Sequence, residues 1–124
     1  MTDKMDISQV LLQAMGQYGE LVLAGSDTAS LLKKGSVTES IKCGEVTFQE
    51  LKEAGLKSGD LLEADSKKGI ITVIVPVGAM KASRALLVAS LGKGSVDVAA
   101  FFKEGLIKQN GAKQAIESLK HQLQ

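Results

Sequence analysis

Apolar residues early in the chain recur at Ile7, Val10, Leu11, Ala14, Met15 and Tyr18, the spacing of one helical face over three turns. Asp6 and Gln9 stand at the two positions of a capping box ahead of this stripe, with Met5 and Val10 placed as a hydrophobic staple. Gly16 and Gly19 bring the segment to a close. The next stretch, "ELVLAG", reads as a short strand. "SDTASLLKKG" reads as a brief helix capped by Ser26 or Asp27, with Lys33 and Lys34 in its last turn and Gly35 after it. Around Ser40–Cys43, β-branched content and a weak alternation predict a strand.

The most organised part of the pattern runs from Val46 to Pro76. Thr47 and Glu50 form a second capping box, with Val46 and Leu51 as its staple. This predicts a helix over Phe48–Ala54 that stops at Gly55. Leu61–Asp65 and Ile70–Val75 then read as two strands joined by "SKKG". The second strand is continuously apolar, which predicts a strand buried on both faces and central in its sheet, with Pro76 at its end. Ala79–Gly92 is apolar almost all round and is expected to be a helix, as is "VDVAAFFKEG" behind Ser95. The last helix places Ala112, Ala115, Ile116, Leu119 and Leu123 on one face. Together these elements predict a single α+β domain over residues 1–124. Its helices flank a small sheet centred on the 61–65/70–75 hairpin.

Composition narrows the chemistry. With three Phe, one Tyr and no Trp in 124 residues, the core must be aliphatic, and a base-stacking platform for single-stranded nucleic acid is disfavoured. One cysteine (Cys43) and one histidine (His121) exclude an internal disulfide and a zinc site of the usual kind, so no metal or cofactor is expected. "MTDKMDISQV" has neither the basic region nor the apolar run of a secretory signal. The longest apolar run, Gly69–Met80, falls short of the roughly 20 residues a membrane span needs, so a cytoplasmic protein is expected. The net charge of +1 conceals an asymmetry. Residues 1–65 carry six Lys and eleven acids, and residues 66–124 carry eight Lys, one Arg and three acids. Either the two halves fold together and neutralise one another on a mixed surface, or the chain offers a basic face to an acidic partner or associates with itself head to tail.

Three functional readings follow. "GEVTFQELKEAGLKSGDLLEADSKKGIITVIV" resembles the swapped-hairpin domain of AbrB-type transition-state regulators and antitoxins, in which a strand, a short helix, a Gly-Asp turn and a hairpin follow one another. That resemblance implies a dimeric DNA-binding regulator. From Gly44 to Pro76, however, six acids face four lysines and no arginine, the wrong balance for phosphate contacts. A second reading places an anion site at "VPVGAMKASR", where a strand, a glycine loop and an expected helix start bring together Gly78, Lys81, Ser83 and Arg84. Such a site suits a small phosphorylated metabolite. No spaced nucleophile, base or metal set is present, so catalysis is not expected. The leading expectation is a non-catalytic interaction protein that binds another protein, or itself, through its helices.

Overall fold

The computed structural model describes residues 6–22, 35–104 and 109–124. Helix α1 spans Ile7–Tyr18, and a 3-10 turn at Gly19–Val22 follows it where a strand is expected from the sequence. The Asp6 side chain caps α1 by accepting the Ser8 N–H at 3.1 Å, and the helix continues through Gly16. The brief helix expected after Ser26 falls outside the described residues. Then come β1 (Ser36–Lys42), α2 (Phe48–Ser58), β2 (Asp60–Asp65), β3 (Ile70–Val77), β4 (Ser83–Leu91), β5 (Ser95–Phe101) and α3 (Gly111–Leu123). The five strands form one antiparallel sheet in the order β1-β5-β4-β3-β2. The α+β class read from the sequence is the one observed, with the predicted hairpin as β2–β3 at one side of the sheet and β4 in its middle.

Local chemistry explains the elements that were legible. At the start of α2, Thr47 Oγ1 accepts the Glu50 N–H at 3.1 Å, and the Glu50 carboxylate accepts the Thr47 N–H at 3.0 Å. Thr47→Ala is expected to cost about 1 kcal/mol in urea unfolding, the usual value of a lost side-chain cap. That same Thr47 N–H holds the Glu50 carboxyl below the usual carboxylate range. Its contribution is therefore present at neutral pH and is lost as pH falls through the lowered folded-state value. In the β2–β3 turn, the Asp65 carboxylate accepts the N–H groups of Lys67 and Lys68 at 3.1 and 3.2 Å, and Gly69 takes the positive φ of 70° that the reversal requires. α2 runs on past Gly55 to Ser58, because a single glycine costs a helix only about 1 kcal/mol while Leu51 and Ala54 keep it seated on the sheet.

Two expected helices are strands. Ala79–Gly92 contains β4, and the segment after Ser95 is β5. An apolar run with few polar breaks fits a buried helix and a strand buried on both faces equally well. The tertiary structure selects the second. Ala85, Leu87 and Ala89 join the core under α2 and α3, while Leu86 and Val88 join the core under α1. β5 divides likewise, with Val96, Val98 and Ala100 on one face and Ala99 and Phe101 on the other. The helical preference of Ala and Leu gives way to this two-sided burial.

β3 is buried as expected, but β4 rather than β3 is the central strand, because two further strands, β5 and β1, add beyond β4. Ile71 to Val75 are all buried, and the strand is hydrogen-bonded to β2 on one edge and β4 on the other. Both edges of β3 are therefore satisfied within one chain. Pro76 does not end the strand, which continues to Val77, but it lies beyond the last β2 pairing, Asp60 with Ile74. Its missing N–H deprives no ladder partner on that side. At the β2 edge, a bulge between Leu61 and Glu63 together with Asp60, Glu63 and Asp65 discourages pairing with another strand. Tyr18 ties α1 to this edge by donating its hydroxyl to Glu63 at 3.1 Å. Among the described residues, no helix is long and apolar enough to cross a membrane.

Candidate anion-binding cleft

Five residues, 78–82, link Val77 of β3 to its partner Ser83 of β4, and Met80 and Lys81 are a left-handed pair inside that loop. Their φ angles are 56° and 54°, and the Ala82 N–H donates to the Ala79 carbonyl at 3.3 Å. Left-handed φ is ordinarily left to Gly, Asn or Asp. This chain spends a methionine and a lysine there instead. Met80 is 98% exposed. Lys81 lines a cleft of about 640 Å³ between the end of α2 and the outward face of α3.

Each element contributes a cation to that cleft. Lys57 stands in the last turn of α2, Lys81 in the hairpin turn and Lys113 in the first turn of α3. None of these lysines has an acidic partner among the described residues. The wall continues along the outward face of α3 as Glu117, Ser118, His121 and Gln122, spaced as one helical stripe. The cleft is held open by Gln114. Its Oε1 accepts the Gly78 N–H at 2.9 Å, and its Nε2 donates to the Gln109 carbonyl at 2.6 Å. The first turn of α3 is thus tied to the residues just before the hairpin turn.

The sequence placed Gly78, Lys81, Ser83 and Arg84 together at a helix start. No α-helix begins there, so the helix-dipole argument for an anion at those residues does not apply. The four also separate. Gly78 gives its N–H to Gln114, and only Lys81 faces the cleft. Ser83 and Arg84 line a different hollow, of about 480 Å³, with Leu21, Phe102 and Lys103. The N-terminus of α3 is itself occupied. The Glu104 carboxylate accepts the N–H of Gln109 at 2.6 Å and that of Gly111 at 3.1 Å, taking the place of a cap that the left-handed Asn110 does not supply.

Other candidate chemistry is thin. Cys43 packs partly buried against the core under α2 and α3, and burial pushes its thiol pKa up, away from thiolate reactivity. His121 is exposed on the cleft wall. No group of three or more His, Cys, Asp or Glu side chains suited to a metal occurs among the described residues. No family model matches the chain, and no curated protein or solved structure does so either. The residues of the cleft carry the argument alone.

Lys57 and Lys113 were missed as site residues because they lie far from Lys81 in sequence. The available signal was the i, i+4, i+8 stripe of Lys113, Glu117 and His121, on the side of the last helix opposite its apolar face. Lys81→Gly separates fold from site. It relieves a left-handed residue and is expected to raise stability by about 1 kcal/mol. It also removes one of the three cations that line the cleft, while urea unfolding reads the gain in stability.

Proposed function

We propose that this protein binds a small anionic metabolite, without transforming it, in the cleft formed by α2, α3 and the β3–β4 turn. The observation that carries the reading is the convergence of Lys57, Lys81 and Lys113 on one cavity with no carboxylate partner among the described residues. Like charges gathered in a concave site repel one another when it is empty, and an anion relieves that repulsion. The volume falls within the range of small-molecule sites, roughly 300–1,000 Å³.

Thermal unfolding with inorganic phosphate at low salt tests the reading. Phosphate is expected to raise the melting temperature, and Lys81→Ala with Lys113→Ala is expected to abolish the rise. Arg84→Ala, on the other side of the hairpin turn, should leave it intact. If phosphate, sulfate and citrate all fail to stabilise the unmodified protein, the proposal falls.

The competing reading is an interaction or self-associating protein, supported by the opposite charges of the two sequence halves and by Leu56, 55% exposed on α2. A partner would meet mainly polar helix surfaces, since the apolar faces of α1, α2 and α3 are buried against the sheet. Light scattering distinguishes the two. A stable dimer that is weakened by Leu56→Glu and indifferent to phosphate favours assembly. DNA binding draws on the AbrB-like order of elements alone, and a gel shift with nonspecific duplex tests it.

A further inference from the structure

The cleft is unevenly furnished along its length, and the unevenness bears on what fits it. Its cationic end is where α2 stops, α3 starts and the hairpin turn projects. From Lys113 the α3 wall then runs through Glu117 and Ser118 to Gln122. At 1.5 Å per residue, that stripe extends roughly 13 Å. A lone inorganic anion would occupy one end and leave the rest to water. Beyond Lys113, the wall offers the Glu117 carboxylate, the Ser118 hydroxyl, the His121 imidazole and the Gln122 carboxamide, all groups that hydrogen-bond to alcohols, and no described Phe, Tyr or Trp lines the cleft.

Building on the anion-site reading, we infer that the ligand is a phosphorylated polyol, in the manner of a sugar phosphate. Lys57, Lys81 and Lys113 take the phosphate. Glu117 accepts hydrogen bonds from sugar hydroxyls, and Gln122, with a carboxamide that both donates and accepts, orients the same groups. Gln114 is held in place by its bonds to Gly78 and Gln109, which leave one N–H and one oxygen lone pair of its amide unused. Nucleotides are disfavoured on the same surface. A base in this cleft meets charged and amide side chains and a single exposed imidazole, His121, with no Phe, Tyr or Trp on which to stack. Glu117 also explains why a bare phosphate is not the best occupant. A carboxylate in a phosphate site is repulsive, whereas a hydroxyl placed beside it turns the same group into an attraction.

Isothermal titration of the full chain with inorganic phosphate, glucose, glucose 6-phosphate and AMP tests the inference. Glucose 6-phosphate is expected to bind about tenfold more tightly than phosphate, the value of one or two good hydrogen bonds. Glu117→Gln and Gln122→Ala should each narrow that ratio, while Lys67→Ala, in the β2–β3 turn, should leave it unchanged. Equal binding of phosphate and glucose 6-phosphate overturns the polyol assignment and leaves the anion site standing. AMP binding as tightly as glucose 6-phosphate also overturns it, in favour of a nucleotide. Binding of none of the four removes both the assignment and the site beneath it.

Discussion

Leu86→Ala and Leu87→Ala are each expected to destabilise the protein by about 3 kcal/mol, within the usual 2–5 kcal/mol for emptying a fully buried leucine site. The two residues are adjacent in sequence and equally inaccessible to solvent, yet they fill different cores. Leu86 packs in the cluster with Leu11, Met15 and Phe101 beneath α1, whereas Leu87 packs with Leu51, Ile116 and Leu119 beneath α2 and α3. Large losses at consecutive positions are the signature of a strand covered on both faces, since neighbours on a strand point opposite ways. Leu12→Ala, at a position 43% exposed, should change stability by no more than about 0.5 kcal/mol. Urea denaturation with an unchanged slope provides the measurement. A negligible cost at either Leu86 or Leu87 would contradict the two-sided burial of β4.

Gly59→Ala is expected to cost about 3 kcal/mol or more, the upper range for overpacking. The backbone does not forbid it, because Gly59 has an extended φ of 175° that any residue adopts. The obstacle is the neighbour. A methyl group at Gly59 would overlap the carbonyl oxygen of Ile74 and stand 3.0 Å from the Val75 Cα. These are backbone atoms of an interior strand, held by β2 on one side and β4 on the other, so they cannot swing aside as a side chain would. Gly16→Ala gives the contrast. Its Cβ would meet nothing within 4 Å, and the residue lies inside α1. That change should stabilise by about 0.5–1 kcal/mol through helix propensity and reduced chain entropy. Thermal or urea unfolding of the two variants should therefore move in opposite directions, and equal effects would refute the close approach of α2's end to β3.

What could be read in advance was whatever is encoded by neighbours in sequence. The Thr47–Glu50 box is a four-residue device, and both of its hydrogen bonds form as the spacing requires. The turn after Asp65 is set by that residue's own carboxylate and by Gly69. The buried stripe of α3 needed only the 3.6-residue period. The β3–β4 hairpin had no such mark. Its five-residue loop, 78–82, puts Met80 and Lys81 at left-handed positions that Gly, Asn or Asp ordinarily fill, so nothing separated β3 from a following helix. The segment after Ser95 did carry a period-two signal in Val96 and Val98, but the adjoining "AAFF" obscured it.

The candidate site was legible at one residue out of its three cations. Lys81 was singled out for the wrong reason, as part of a helix start that does not exist. Its partners Lys57 and Lys113 come from helices that approach one another only because both lie on the same face of the sheet.

The sequence by itself determined the α+β class, the start of α2, the β2–β3 hairpin and the aliphatic nature of the core, because each depends on composition or on residues a few positions apart. Only the tertiary structure decided that residues 83–101 form strands, that β4 occupies the middle of the sheet, and that lysines from α2, α3 and the hairpin turn share a cleft. The physical reason is the same in each case. A wholly apolar segment has no preferred face until layers exist on both sides of it, and distant lysines become a site only when the sheet brings their elements together.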